Sequence, residues 1–469
     1  MGIHTRRDFL RLGLGGVVAG TLQVRCFGGG QPQKKRPNVL FVVTDDQRFD
    51  TIAALGNTYI ATPNMDQLVR RGTTFAEACI MGSTSGAVCK PSRAMLLSGR
   101  NLFGLVKSGG VIPEQHVMLP ELFRRQGYVT FATGKWHNDK SSFSRCFSTG
   151  ANIFFGGMSD HYGIRVCDFD PTGKYPAGAR HCYEGKHSSE LFSDAAVEFL
   201  RSHDGNRPFF MWVAYTAPHD PRTAPKKYRE LYRDKEMPLP ANFMSEHLFD
   251  NGELKIRDER LADWPRTPAE IRRHLADYYA MITHLDAQIG RVLGALADSG
   301  RDGNTIIVLV GDNGLAIGSH GLMGKQNLYE HSVRVPLIIC GPGVPRNRRV
   351  QGLCYAHDLY PTLCELAGIA VPKSVQSRSL VPVMENGTGG RETLFFAYKD
   401  LQRAVRDRRY KLIEYTVAGR RTTQLFDLQA DPWELRNLAE SPEHKQHVER
   451  LRGRLLQWKK RVGDPTAGA

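Results

Sequence analysis

The sequence lacks the features typical of membrane proteins, of proteins with a structural zinc site and of nucleic-acid-binding proteins. After the N-terminal segment, no apolar run is long enough to span a bilayer. The nine cysteines include no Cys-x-x-Cys pair, which argues against a structural zinc site. The basic residues form no long block and belong to no recognised nucleic-acid module. These absences favour a globular enzyme or binding protein.

The balance of charge indicates the kind of partner. The 469 residues carry 63 Lys and Arg against 48 Asp and Glu, a formal net charge of +15, which favours polyanions. Sulfated glycans and nucleic acids are both polyanions. Because the sequence contains no nucleic-acid module, we expect no nucleic-acid partner. An odd number of cysteines leaves at least one unpaired. A disulfide among Cys146, Cys167 and Cys182 is an open alternative if the compartment is oxidising.

The N-terminal segment has the pattern of an export signal. Arg6 and Arg7 precede an apolar run at 12–22 that is too short to span a bilayer, as in twin-arginine signals. We expect a signal and linker over residues 1–36 and a periplasmic or secreted protein, with no transmembrane span after processing. The alternative is a basic arm on a cytosolic protein. Cys26 follows Arg25, a poor fit to a lipoprotein site.

Four apolar segments predict buried strands, and each is followed by polar residues. The segment 39–43 is followed by Asp45 and Asp46, 128–132 by Lys135 and His137, 208–214 by His219, and 305–310 by Asp312 and Asn313. Continuous apolar runs are typical of strands buried on both faces of a sheet. Ligands of such sheets bind at the carboxyl ends of the strands. We therefore expect these side chains to converge.

The remaining segments complete a predicted α/β fold. Amphipathic patterns predict helices at 189–201, 268–298 and 358–367 that cover the sheet, while the charged, proline-dotted stretch 225–266 suggests a surface insertion. The prediction is a large mixed, mostly parallel sheet flanked by helices, with a small C-terminal antiparallel sheet and helix. We expect a catalytic domain at 37–385 and a small subdomain at 386–469.

The segment from Cys89 to Arg93 is the most informative part of the chain. Pro91 and the apolar residues after it predict a helix start, so Cys89 would lie at a positive helix N-terminus. Asp45, Asp46, Asp312 and Asn313 are hard oxygen ligands that suit Ca²⁺ or Mg²⁺ rather than Zn²⁺, with Cys89 as a fifth partner. Positive charge around a bound oxyanion would come from Arg93, Lys135 and Lys325, and His137 and His219 could serve as general base and acid.

These motifs resemble those of the formylglycine-dependent (type I) sulfatases of the alkaline-phosphatase superfamily, from about Pro37 to Leu438. They are Thr-Asp-Asp-Gln at 44–47, Cys-Lys-Pro-Ser-Arg at 89–93, Gly-Lys-Trp-His at 134–137, Pro-His at 218–219, Gly-Asp-Asn-Gly at 311–314 and the segment 321–330 around Lys325. The resemblance implies one Ca²⁺ and a maturation enzyme that oxidises Cys89 to formylglycine (3-oxoalanine). It also implies that metal binding uses Asp45, Asp46, Asp312 and Asn313 together with residue 89.

The resemblance also implies a mechanism. One hydroxyl of the hydrated formylglycine attacks sulfur, while Ca²⁺, Lys135 and Lys325 bind the sulfate oxygens and Arg93 holds the diol. His219, helped by Lys325, then protonates the departing alcohol. His137 removes the proton from the second hydroxyl, which expels sulfate and regenerates the aldehyde.

The residues that would contact the rest of the substrate are less well defined. Asn138-Asp139 stands where many relatives have Leu-Gly, which leaves specificity open. The Phe- and Gly-rich loop 154–161 is expected to border the leaving group, with Asp160 and His161 as candidate substrate contacts, although ordinary loop packing is an alternative. His320 either faces the pocket or caps its own turn.

The leading hypothesis is an exported sulfatase that acts on a sulfated carbohydrate. Its partners would be the sulfated glycan, the formylglycine-generating enzyme and the twin-arginine export machinery. A phosphonate monoester or phosphodiester hydrolase of the same superfamily is the alternative enzyme. A non-catalytic polyanion-binding protein is the alternative of another class, but it requires a broken catalytic position, and the sequence contains none.

Overall fold

A ten-stranded mixed sheet forms the centre of the structure, a computed structural model that describes residues 36–233, 236–387 and 390–468. The strands within these residues are β1 (Asn38–Thr44), β2 (Gly72–Phe75), β3 (Ala78–Cys79), β4 (Gly82–Ser83), β5 (Val129–Lys135), β6 (Thr149–Phe154), β7 (Val166–Cys167), β8 (Arg180–His181), β9 (Phe209–Ala214), β10 (Thr305–Gly311), β11 (Leu337–Cys340), β12 (Arg348–Val350), β13 (Cys354–Tyr355), β14 (Leu394–Tyr398), β15 (Gln402–Arg406), β16 (Tyr410–Val417) and β17 (Arg420–Asp427). The large sheet has the order β12-β2-β11-β10-β1-β9-β5-β6-β7-β8, and its central strands β10, β1, β9, β5 and β6 are parallel. The predicted mixed, mostly parallel sheet is confirmed.

Helices cover both faces of this sheet. In the described part of the chain they are α1 (Pro63–Arg71), α2 (Cys89–Ser98), α3 (Leu119–Arg125), α4 (Lys140–Cys146), α5 (Ser188–Ser202), α6 (Lys226–Glu230), α7 (Pro268–Asp298), α8 (Glu330–Val333), α9 (Leu359–Leu366), α10 (Val381–Asn386) and α11 (Lys445–Val462). The predicted helix at 268–298 has the bounds of α7, and α5 extends its prediction by one residue at each end. None of the helices that the structure describes has the length and apolar character needed to cross a bilayer.

The first strand shows why the sheet is buried on both sides. Val39, Phe41 and Val43 pack into one hydrophobic core with residues of α2 and α3, whereas Leu40 and Val42 pack into a second core with residues of α5 and α7. Successive side chains of a strand point to opposite faces, so a continuous apolar run serves both cores. This strand lies between β10 and β9, with Thr44 opposite Gly311 and Val43 opposite Ala214. The three strands therefore end at the same edge.

A second sheet is formed mainly by the C-terminal part of the chain. The predicted antiparallel strands are present as β14 to β17, and β4 adds a fifth strand that is parallel to β14. Gly82 is essential to that contact, because an added Cβ would lie 2.0 Å from the carbonyl oxygen of Ala397 and its φ is +97°. The sequence did not indicate this pairing, since two residues are too few for a strand pattern.

Buried charges tie the second sheet to α8. Lys411 on β16 lies 3.0 Å from the Glu330 carboxylate of α8 and 2.9 Å from that of Glu434, and Arg406 on β15 also pairs with Glu330 at 2.5 Å. A buried ion network of this kind is costly to break, because removing one partner leaves uncompensated charge. The boundary between the catalytic domain at 37–385 and the small subdomain at 386–469 stays a prediction.

The predicted signal lies outside the described residues, as does Cys26. The eight cysteines that the structure describes are all unpaired. The alternative of a disulfide among Cys146, Cys167 and Cys182 is therefore not realised, since all three are free cysteines.

Candidate active site

The first residue of α2 lies at the centre of a polar pocket. Cys89 is 2% exposed, and its Sγ lies 3.6 Å from the Lys135 Nζ and 3.4 Å from the Lys325 Nζ. One turn further along α2, Arg93 donates to the Asp312 carboxylate at 2.8 Å and to the backbone carbonyl of Lys135 at 2.8 Å. The N-terminal turn of the helix thus places the sulfur among three cations.

Carboxylates at the strand ends hold these cations in place. The Lys135 Nζ lies 2.5 Å from Asp45 Oδ2, and the Lys325 Nζ lies 2.5 Å from Asp46 Oδ1. Asp312 accepts a hydrogen bond from the Asp46 backbone amide at 3.1 Å, which ties the ends of β1 and β10 together. All of these side chains are buried, so their interactions act in a medium of low effective dielectric.

The carboxylates are crowded enough to perturb one another. Burial raises the pKa of Asp312 to about 7, with the charge of Asp45 contributing in the same direction. Burial opposes the ionisation of Asp45 as well, but the positive charges of Lys135 and Arg93 hold its pKa below the usual range. Crowding of this kind favours a bound cation, which would stabilise all three carboxylates in the charged form.

The donor set also fits a cation. Within the described residues, the Asp45 Oδ1 and the Asn313 Oδ1 are buried and have no hydrogen-bond partner, although buried polar atoms are normally paired. Asn313 uses its Nδ2 to donate to Asp46 at 2.7 Å, so its oxygen remains free for a ligand. Ligand atoms of Asp45, Asp46, Cys89 and His219 all lie within 4.8 Å of one another. Oxygen donors of this type suit a hard divalent cation.

Two histidines line the pocket. The His219 Nε2 lies 3.6 Å from the Asp46 carboxylate, and its Nδ1 lies 2.8 Å from the carbonyl oxygen of Asp220. Burial, together with the charges of Lys135 and Arg93, lowers the pKa of His137 to about 2. His137 is therefore a neutral imidazole at physiological pH.

The backbone is strained at two of these positions. Asp46 has φ +62° and His137 has φ +66°, in the left-handed region that non-glycine residues rarely adopt. Gly134, just before Lys135, has φ +91°, and an added Cβ would lie 1.9 Å from the carbonyl oxygen of Ala214 on β9. Such conformations cluster at functional sites, where the surrounding structure holds them.

A cleft of about 360 Å³ gives access to Cys89. Besides Cys89, His137, His219 and Lys325, it is lined by Gly86, Ala87, Gly157, Met158, Glu253, Ile256, Arg257, Asp258, Gln326 and Lys399. The segment 225–266 is therefore more than a surface insertion, because its residues 253–258 form one wall. The sequence offered no periodicity in that segment, so its contacts were missed. The loop 154–161 does reach the cleft, through Gly157 and Met158.

The three candidate substrate residues lie outside the lining of this cleft. The ring nitrogens of His161 contact Ser188 Oγ at 2.8 Å and the carbonyl oxygen of His219 at 3.0 Å, so His161 supports the loop that carries His219. Asp160 accepts from the backbone amides of Tyr162 and Gly163. His320 stacks on Tyr329 and contacts the Glu434 carbonyl oxygen at 2.9 Å. Among the described residues, each side chain has local partners that explain its position.

A mixed sheet with a pocket of paired charges at the carboxyl ends of its strands defines the fold of this protein. Two solved structures share this fold: one of a protein in complex with its substrate D-glucosamine-2-N,6-O-disulfate, and one of the phosphonate monoester hydrolase of Agrobacterium radiobacter. The first has a TM-score of 0.78 and 24% identity, covering 92% of this chain and 99% of that one. The second has a TM-score of 0.72 and 22% identity, covering 91% and 96%.

The chain belongs to the sulfatase family, because the sulfatase family model matches residues 37–369. A second model, described as the C-terminal part of N-sulphoglucosamine sulphohydrolase, matches residues 318–461. The chain is also 26% identical over 513 residues to an N-acetylglucosamine-6-O-sulfatase of Bacteroides thetaiotaomicron, covering 94% of this chain and 89% of the relative. The protein is thus a sulfuric ester hydrolase.

The contact between Gly157 and His137 generates a prediction. A Cβ at residue 157 would lie 2.7 Å from the His137 Nε2, so Gly157→Ala is expected to displace the ring. We expect kcat for an aryl sulfate to fall about 10-fold to 100-fold, as for a misplaced group at a reacting centre. Steady-state kinetics with a thermal melt would measure this.

The matched control for this prediction is Gly163→Ala in the same part of the chain. A Cβ there would meet only the Asp160 Cβ, at 3.7 Å, an ordinary van der Waals contact, so activity should change less than about twofold. Equal activity of the two variants would contradict the prediction.

Proposed function

We propose that this sulfatase hydrolyses a sulfate ester of a sulfated carbohydrate. The observation that carries the proposal is the position of Cys89, whose Sγ lies within 3.6 Å of the ammonium groups of both Lys135 and Lys325. A sulfate group next to this sulfur would have its oxygens among fixed positive charges, and such charges stabilise a developing oxyanion without reorganisation.

The proposed nucleophile is formylglycine derived from Cys89. Burial raises the pKa of the thiol to about 12, although Lys135 and Lys325 oppose that shift, so the unmodified thiol is uncharged at neutral pH and a weak nucleophile. Oxidation of residue 89 to an aldehyde, followed by hydration of that aldehyde, would supply a hydroxyl nucleophile in its place. The position of the residue at the start of α2 supports this, since a helix N-terminus favours developing negative charge.

The proposed metal is one Ca²⁺, held by Asp45, Asp46, Asp312 and Asn313 together with residue 89. The unpartnered oxygens of Asp45 and Asn313 support this ligand set. When bound, the cation would polarise the ester and favour ionisation of the nucleophile.

The protein's own side chains would divide the remaining work. Lys135 and Lys325 would bind sulfate oxygens, and Arg93 would fix the nucleophile through its contacts with Asp312 and the Lys135 carbonyl. His219 would protonate the departing alcohol with Lys325 beside it, and neutral His137 would accept a proton when sulfate leaves. The different surroundings of the two histidines support separate roles, since His219 lies beside the Asp46 carboxylate and the charges of Lys135 and Arg93 act on His137.

The substrate class is supported by charge and by relatives. The net charge of +15 favours a polyanion, and the Bacteroides relative is an N-acetylglucosamine-6-O-sulfatase. A sulfated amino sugar is therefore the first substrate to test. We further propose that a formylglycine-generating enzyme matures Cys89 and that the twin-arginine route exports the protein to the periplasm or beyond.

The first prediction concerns the group that is transferred. We expect turnover of sulfated sugars, including N-acetylglucosamine 6-sulfate, and faster hydrolysis of an aryl sulfate than of the matching aryl phosphodiester. Side-by-side initial rates with the mature enzyme measure both. A strong preference for the phosphodiester would favour the alternative hydrolase of the same superfamily.

The second prediction concerns maturation. Expression without the formylglycine-generating enzyme should leave residue 89 as cysteine and turnover close to background, and mass spectrometry of the peptide that contains residue 89 would show its state. Cys89→Ala should be inactive, whereas Cys364→Ala, which alters another buried cysteine far along the chain, should retain turnover. Glycan binding by Cys89→Ala, combined with an inactive mature parent, would favour a polyanion-binding protein instead.

The third prediction concerns the cation. A chelator should abolish activity and lower the melting temperature, because three buried carboxylates lose their counter-charge, and Ca²⁺ should restore both. Asp312→Asn should weaken the response of the melting temperature to Ca²⁺. Restoration by Zn²⁺ alone would be incompatible with a site made of oxygen ligands.

A further inference from the structure

We propose that Asp220 and Arg257 are positioning residues for His219, and that Arg257 thereby controls how well the enzyme expels poor leaving groups. The proposal rests on the proposed role of His219 as the acid that protonates the leaving alcohol. It adds two residues to the site, one of them from the irregular segment that precedes α7.

Asp220 contacts His219 at the nitrogen that faces away from the cation-binding carboxylates. The His219 Nδ1 lies 2.8 Å from the Asp220 carbonyl oxygen and 3.3 Å from its Oδ1, while the Nε2 lies 3.6 Å from Asp46. These contacts fix which nitrogen points into the pocket, as the orienting partner of a catalytic imidazole does. The Asp220 side chain is 8% exposed, so it has few alternative positions.

Arg257 in turn holds the Asp220 carboxylate. Its two terminal nitrogens contact both oxygens of Asp220, the second at 3.3 Å, and this forked geometry fixes the plane of a carboxylate. Arg257 also lies 2.7 Å from Asp258, whose other oxygen accepts from Gln326 at 2.9 Å. Gln326 directly follows Lys325, so a continuous series of contacts joins His219 to the lysine proposed to assist it.

The chemical consequence concerns only one step. As the ionised hydroxyl of hydrated residue 89 bonds to sulfur, the bond from sulfur to the ester oxygen breaks, and that oxygen keeps the electron pair and takes the proton from the His219 Nε2. A nitrophenolate stabilises its own negative charge and depends little on this proton, whereas a sugar alcohol or an unactivated phenol depends on it strongly. Misplacing His219 should therefore penalise poor leaving groups selectively.

The test is a leaving-group series of aryl sulfates, from 4-nitrophenyl sulfate to phenyl and 4-methoxyphenyl sulfate, assayed with the mature Ca²⁺-loaded enzyme. For Arg257→Ala we expect kcat/KM to fall at least about 10-fold for the unactivated sulfates and less than about threefold for 4-nitrophenyl sulfate. Arg257→Lys should recover part of the loss, and Asp220→Asn should show the same selectivity.

Arg409→Ala is the matched control. The Arg409–Asp427 pair has side-chain exposures of 53% and 9%, close to the 46% and 8% of Arg257 and Asp220, and it lies at the far edge of the second sheet. Its removal should change all the aryl sulfates equally and by less than about twofold.

Two outcomes would overturn the inference. An equal loss across the series for both Arg257→Ala and Asp220→Asn, with the parent active, would mean that the pair only stabilises the fold, and the proposed function would stand. A parent that hydrolyses no sulfate ester would overturn the proposed function and, with it, this inference.

Discussion

The site depends on the mutual compensation of charges that are buried together. Three carboxylates, Asp45, Asp46 and Asp312, lie among Arg93, Lys135 and Lys325 with almost no exposure to water. Each charge alone would be very costly to bury, and only close pairing makes the arrangement stable. Burial and the neighbouring charge of Asp45 still raise the pKa of Asp312, because the carboxylates repel one another. A bound divalent cation would relieve that repulsion, so ligand binding and charge balance are one problem.

The fold brings these charges together by aligning the ends of parallel strands. Parallel pairing of β1 with β9 and β10 brings Asp45, Asp46 and Asp312 to one edge, and β5 adds Lys135. The helix that begins at Cys89 then points its N-terminus at the cations. Left-handed backbone at Asp46 and His137 turns these side chains out of the regular path of the chain. The fold tolerates this strain because two large hydrophobic cores hold the strands on either side.

The parts of the site that follow a regular pattern could be predicted from the sequence. Asp45 and Asp312 follow apolar runs whose strand character is evident, and Cys89 begins a helix whose start Pro91 indicates. The segment that contains Arg257 has no helical or strand periodicity, so nothing in the sequence brings it to His219. The importance of Gly157 was hidden for another reason: it depends on a steric contact with His137 that only the folded chain creates. Asp220 is next to His219 in the sequence, but its proposed role depends on the contact with Arg257, which only the folded chain makes.

The cleft combines a buried pocket with a rim of different origin. The pocket comes from strand ends and α2, whereas the rim comes from the segments around Met158 and Arg257 and from Lys399, in the turn between β14 and β15. Lys399 pairs with Glu253, and Arg257 pairs with Asp220 and Asp258. Since these rim charges are already compensated, they offer hydrogen bonds to sugar hydroxyls more readily than attraction to a second anion. The pocket and the rim therefore differ in their surroundings as well as in their origin, and the C-terminal sheet contributes to the cleft through the turn that carries Lys399.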